Sequence, residues 1–241
     1  MYRLIVFSDL HANLLALQAA LDQIQTLGYD EIVHLGDAIA IGPYPAECLE
    51  SLKTLTNASY LMGNHDACLV DGLPQPIPES MSAGEVEHQH WVHGQISSKL
   101  VSFVAEWPYQ IIREYDAIRV SFQHYALDAS GSRFLPLIKH PTPQDLDHQY
   151  LGSDAQVVFH GHTHIACDLT GARRYINPGS MGCYHHSVAR YCSIDFHRGG
   201  FEIQHFAVAY DDAELYKAFE SRQVPERNFL YQAFYAGRFP R

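Results

Sequence analysis

Leu4-Ile5-Val6-Phe7-Ser8-Asp9-Leu10-His11 joins four consecutive apolar residues to a carboxylate and an imidazole two positions apart. A short apolar run of this kind is a strand covered on both faces. Asp9 and His11 stand just past its carboxyl end, where open α/β sheets bind their ligands. Residues two apart in extended chain point to the same side, so the pair can converge there.

The same punctuation recurs down the chain. Gly36-Asp37 follows the run Ile32-Val33-His34-Leu35, and Gly63-Asn64-His65-Asp66 follows Tyr60-Leu61-Met62. His124 ends the run at 118–122, and Gly161-His162-Thr163-His164 follows the run at 156–159. The glycines at 36, 63 and 161 let the backbone leave each strand sharply with no side chain in the crevice. Taken singly, each string is an ordinary turn or cap. Together they gather carboxylates, imidazoles and one amide at strand ends, the mixture that a pair of divalent ions requires.

This donor set suits Mn, Fe, Zn, Co or Ni, with manganese favoured, better than Mg or Ca, which prefer all-oxygen shells. No cysteine falls within a motif, which disfavours a structural thiolate zinc site. Two ions ~4 Å apart can share a hydroxide and clamp a phosphoryl group. One carboxylate must then reach both ions, and Asp37 is the natural candidate. The chain has 16 histidines, so many are surplus. His34 is expected in the core, His88, His90 and His93 on a solvated helix face, and His185 and His186 in a loop near the site.

Around these motifs the first third alternates strand and helix. Leu14, Leu17, Leu21 and Ile24 recur at helical spacing before Gly28, and Pro45 opens a second helix to about Leu55. This βαβαβ rhythm calls for parallel strands with right-handed crossovers. A proline-rich stretch at 73–79 reads as an exposed loop, and a single helix is expected over 86–105. Strands are expected at 109–114, 118–122, 156–159, 190–194 and 202–206. A strand-rich second half on an α/β first half predicts two packed sheets with helices outside. Residues 1–241 are read as one domain, with terminal helices at about 211–237 docked on its body.

Composition narrows the functional classes. With 241 residues and 47% hydrophobic content the chain can bury a sizeable core. A net charge of -11 opposes grip on polymeric nucleic acid through phosphate neutralisation, while leaving a nucleotide substrate open. No stretch approaches the ~18 apolar residues of a membrane span, so no membrane partner is expected. Met1-Tyr2-Arg3 runs straight into a strand, and the five cysteines form no CxxC pair. Both point to the cytoplasm and to free thiols. Oligomeric state is not encoded in any pattern found.

Asp9-Leu10-His11-Ala12-Asn13, Gly36-Asp37 leading to Gly42-Pro43-Tyr44-Pro45, and Asn177-Pro178-Gly179-Ser180 together resemble the calcineurin-like metallophosphoesterases. The likeness is greatest to the small prokaryotic phosphodiesterase-like, diadenosine-tetraphosphatase-related branch. That resemblance implies a four-layer αββα sandwich of two mixed sheets and a two-metal site. Asp9, His11 and His164 would hold the first ion, and Asn64, His124 and His162 the second, with Asp37 bridging. His65 would act as general acid and Asp66 would orient its imidazole, while a hydroxide between the ions attacks phosphorus. A small residue usually follows the counterpart of His124; here Tyr125 is expected to narrow the pocket or stack on a base. Cys183-Tyr184-His185-His186 replaces a polar, arginine-bearing segment.

The leading expectation is a metal-dependent phosphoesterase for a small phosphodiester or nucleotide. A phosphomonoesterase or protein phosphatase is weaker, because Ala38-Ile39-Ala40 offers no arginine after Asp37 to hold a phosphate bidentately. A non-catalytic metal-binding scaffold is opposed by the presence of His65 and of every ligand position.

Overall fold

The computed structural model describes residues 1–79 and 81–237. Strand β1 (Tyr2–Phe7) lies at the centre of a five-stranded sheet, parallel to β2 (Glu31–His34), which is parallel to β3 (Ala58–Tyr60). On the other side β1 pairs antiparallel with β9 (Val188–His197), and β9 with β10 (Gly200–Ala209), giving the order β10-β9-β1-β2-β3. The second sheet has the order β4-β5-β6-β8-β7, from β4 (Gln110–Tyr115), β5 (Ile118–Gln123), β6 (Val157–Phe159), β7 (Cys167–Thr170) and β8 (Arg174–Asn177). Its three inner strands run parallel, and both edge strands are antiparallel.

Side-chain alternation along β1 builds two cores at once. Leu4 and Val6 face the second sheet and pack with Val33, Leu35, Phe122, Phe159 and Ile176. Ile5 and Phe7 face the other way, onto α1 (Leu14–Leu27), α2 (Pro45–Lys53) and α5 (Ser98–Ala105). Beyond the second sheet, α6 (Pro143–Gln149) places Leu146 against Tyr125, Val158 and Tyr175. The four layers are therefore helix, sheet, sheet, helix, as the resemblance implies. Two helices, α7 (Ala213–Ser221) and α8 (Arg227–Phe234), pack with Ile41 and Cys183 at the carboxyl end of the first sheet.

Several expectations need correction. The single helix at 86–105 is two, α4 (Ala83–Gln95) and α5, because Ile96 and Ser97 both adopt an extended conformation between them. Asn64–Asp71 forms a helix, α3, that adds to the expected elements. β7, β8 and α6 carry no strong sequence pattern and add to the expected elements. His34 is fully buried between Phe7 and Trp107, as expected. His88 is also buried and not on a solvated face: its Nε2 accepts from the Ile41 N–H at 2.9 Å, and its Nδ1 donates to the Pro225 carbonyl at 3.2 Å. Burial holds its pKa down at about 4, so this neutral imidazole ties the loop after Asp37 to the start of α8.

Candidate metal centre

The strand-end motifs meet in one cleft, but not by extended alternation. Asp9, His11, Asp37, His162 and His164 all sit in the left-handed region, with φ between 48° and 64°. Single non-glycine residues held there cost free energy and persist only where neighbours over-determine them. The neighbours are identifiable. Asp9 and His11 donate their backbone N–H groups to the carbonyls of Gly36 and Asp37, lacing the first motif to the second. A Cβ on Gly36 would come within 2.6 Å of the Gly63 nitrogen, so those two motifs touch backbone to backbone.

The Asn177-Pro178-Gly179-Ser180 loop completes the frame. Asn177 Nδ2 donates to the Gly161 carbonyl at 2.9 Å and Thr163 Oγ1 at 3.0 Å. Ser180 Oγ donates to the Asp9 carbonyl at 2.8 Å. This motif therefore positions the ligand loops and does not itself enter the cleft.

Within the frame the ring nitrogens and carboxylates form three overlapping triads among the described residues, Asp9–His11–His164, Asp37–His124–His162 and, linking them, His11–Asp37–His65, with ligand atoms of each triad within 4.8 Å of one another. His11 Nε2 lies 2.9 Å from His164 Nε2, and His124 Nε2 lies 3.2 Å from His162 Nδ1. Asp9 Oδ1 is 3.4 Å from His164 Nε2, and Asp37 Oδ2 is 3.3 Å from His124 Nε2. Donors bound at ~2.0–2.1 Å to one ion stand about 3 Å apart, so these separations are those of coordination edges. Asp37 Oδ2 also lies 3.9 Å from His11 Nε2, which puts it between the triads.

Outer contacts aim the imidazoles. His11 Nδ1 points at the Ile39 carbonyl and His124 Nδ1 at the Leu35 carbonyl, each at 3.2 Å. A carbonyl accepts only, so in both rings Nδ1 carries the proton and Nε2 offers its lone pair inward. The inner amide atom of Asn64 sits 3.2 Å from Asp37 Oδ2, 2.9 Å from His162 Nδ1 and 3.2 Å from His124 Nε2. As an oxygen it faces acceptors alone, an arrangement that a cation among them satisfies.

Electrostatics agree with this donor set. Burial raises the pKa of Asp37, but His124 and His65 outweigh it and hold the carboxyl well below the usual range. Asp9 is lowered in the same way, burial being overcome by His164 and His124. Burial pushes His11 to about 3 and, with His124, His162 to about 4, leaving neutral rings able to ligate. His124 moves oppositely, to about 9: burial lowers it, and Asp37 and Asp9 outweigh burial. A divalent cation bound there would displace that His124 proton and free Nε2 to ligate.

A model of the calcineurin-like phosphoesterase superfamily domain matches residues 2–199. The chain belongs to that superfamily. An uncharacterized protein of Methanocaldococcus jannaschii is 27% identical over 251 residues, covering 97% of each chain. A metallophosphoesterase from Sphaerobacter thermophilus superposes with a TM-score of 0.73 at 23% identity, over 96% of this chain and 97% of that one. A hypothetical protein from Pyrococcus horikoshii gives a TM-score of 0.78 at 18% identity, over 99% and 100%. At those identities the structural likenesses establish the fold, while the domain match establishes the family.

Three expected roles change within this superfamily frame. Asp66 does not touch the His65 ring. Its carboxylate accepts from the backbone N–H groups of Asp37 at 2.7 Å, Ala38 at 3.1 Å and Gly63 at 3.1 Å, so it fixes the loop of the central aspartate. The ring of His65 is held instead by Gln89, Nε2 to Nδ1 at 2.8 Å. Tyr125 is fully buried on the far side of His162, its hydroxyl accepting from the Ile138 N–H and Gln149 Nε2. It is a packing residue and not a substrate contact. His185 lines the cleft, together with Lys139 and His140, which no sequence pattern marks; His186 is exposed outside that lining.

Proposed function

We propose that this protein is a phosphodiesterase that holds two divalent transition-metal ions and cleaves a small phosphodiester or nucleotide. The observation that carries the reading is the pair of ligand triads with Asp37 Oδ2 between them. Asp9, His11 and His164 would hold one ion, and Asn64, His124 and His162 the other, with Asp37 shared. Such a pair supplies charge neutralisation and a nucleophile active near neutral pH.

The chain's own residues do the rest. Gln89 holds His65 Nδ1 at 2.8 Å, which fixes the ring and leaves Nε2 for the cleft. In its protonated form the His65 imidazolium would give the Nε2 proton to the oxygen of the departing alcohol as the ester bond breaks, returning to the neutral ring. Lys139 and His140 stand at the cleft wall, where the non-bridging oxygens of a phosphoryl group would meet cationic or donor groups. No arginine lines the cleft among the described residues, which favours a singly charged diester over a dianionic monoester. Charge and free thiols support a small substrate in a reducing, cytoplasmic setting rather than polymeric nucleic acid. Among the described residues no helix is long and apolar enough to cross a membrane.

The test is hydrolysis of an aryl phosphodiester and an aryl phosphomonoester by metal-stripped protein, before and after Mn²⁺. Metal content is measured on the same samples. Restored diester cleavage with two bound equivalents is the expected result. Monoester cleavage alone would replace the reading with a phosphatase, and silence with both ions bound would overturn catalysis.

A further inference from the structure

The polar cleft has an apolar annex. A second cavity of about 540 Å³ opens between α4 and α8, and its lining shares Ile41, His65 and Phe234 with the metal cleft. That volume lies within the ~300–1,000 Å³ of small-molecule pockets. His65 stands on the boundary. A group attached to the oxygen that His65 would protonate has this chamber open to it beside the metal cleft.

The lining states what the chamber accepts. Phe229 is 59% exposed despite its size, and with Phe234 and Leu230 it offers apolar, partly aromatic surface. No lysine or arginine lines the chamber among the described residues, so it does not suit a phosphate. Its polar content consists largely of acceptors. Glu85 and Glu226 are not ion-paired among the described residues, and Gln89 Oε1 is buried without a hydrogen-bond partner although Nε2 of the same amide holds His65. His88 is already committed on both ring nitrogens. Aromatic faces with acceptors around them complement a flat ring that presents N–H donors.

We infer that the chamber between α4 and α8 is the leaving-group site and takes a purine nucleobase bearing an exocyclic amine. The ring packs on Phe229 and Phe234, and its amine faces the carboxylates. The phosphoryl group remains on the metal side of His65. The leaving-group assignment rests on the phosphodiesterase reading above; base binding does not, and the two are separable by experiment.

The probe is the free nucleoside, which carries no phosphate. Calorimetric titration of manganese-loaded protein with guanosine, adenosine and inosine measures base binding without turnover. Guanosine and adenosine are expected to bind at least about 5-fold tighter than inosine, which lacks the amine. Phe229→Ala should weaken both by about 10-fold, the scale of losing one aromatic stacking partner, with metal content unchanged. Glu226→Gln should narrow the gap to inosine. Equal binding of all three nucleosides, or affinities indifferent to Phe229→Ala, would overturn the inference. Phe229-dependent guanosine binding by protein that cleaves no diester would overturn the phosphodiesterase reading and leave base recognition standing.

Discussion

Buried carboxylates occur at both ends of the first sheet, and they are answered differently. At the amino end of β2, Glu31 is 5% exposed and meets the hydroxyls of Tyr2 at 3.0 Å and Tyr115 at 2.8 Å, with Arg113 as its ion-pair partner. Its charge is matched by a cation the chain supplies. At the carboxyl ends, Asp9 and Asp37 are 0% and 1% exposed and face imidazoles, an amide and backbone N–H groups, with no lysine or arginine paired to either among the described residues. Buried charge needs compensation, and here the fold offers only imidazoles, with His124 held cationic between Asp37 and Asp9. The first arrangement is complete as folded; the second sets one imidazolium against two carboxylates, a deficit that a bound cation would make up.

That contrast breaks at measurable points. Asp37→Asn has the largest expected effect: it should abolish turnover and weaken metal retention, since the lost charge serves both triads. Full activity with normal metal content would remove Asp37 from the shared position. His65→Ala should leave the metal content intact while turnover falls ~10²–10⁴-fold, the range for losing a general acid. The loss should shrink for esters with good leaving groups. Gln89→Leu should reproduce that pattern more mildly, by roughly 10²-fold, as expected for a displaced acid. A leaving-group-independent loss in either variant would argue against proton donation.

At the other end the predictions change character. Glu31→Gln should cost about 1–3 kcal/mol of stability through poorly matched donors while leaving metal content and turnover unchanged. Urea midpoints alongside assays would show it; a loss of metal would erase the distinction between the ends. The smallest effect concerns His34, which is buried with neither ring nitrogen hydrogen-bonded and held at about 3. Below pH 6.5 the unfolded chain protonates this ring and the folded chain does not, so stability falls as pH drops from 6.5 toward 3. By pH 5 this one group accounts for about 2 kcal/mol. Metal-free His34→Phe should therefore lose less stability between pH 7 and pH 5 than the parent, and equal slopes would refute it.

The strand-end motifs are legible because a doubly covered parallel strand is a dense apolar run, against which the polar residues after its last position stand out. Leu4–Phe7 and Ile32–Leu35 are such runs. β7, with Cys167-Asp168-Leu169-Thr170 alternating between half-buried and exposed, is an edge strand and carries little of that signal. Side-chain direction explains two misassigned roles. His65 and Asp66 are neighbours on α3, and successive helical residues do not face each other, so Asp66 turns into the frame while His65 turns toward the cleft. Tyr125 directly follows His124 at the end of β5, and residues one apart point to opposite faces of extended chain. Gln89 is out of reach for a different reason: its role exists only once α4 folds across α3.

The two sheets each contribute part of the Asp9–His11–His164 and Asp37–His124–His162 groups. Asp9, His11, Asp37 and Asn64 follow strands of the first sheet, whereas His124, His162 and His164 follow strands of the second. These two triads therefore span the seam between them. The thickness of the apolar layer under that seam, set by Val6, Leu35, Phe122 and Phe159, acts as the gauge for donor spacing. A truncation in that layer touches no ligand, yet it should alter donor spacing by letting the two halves settle closer.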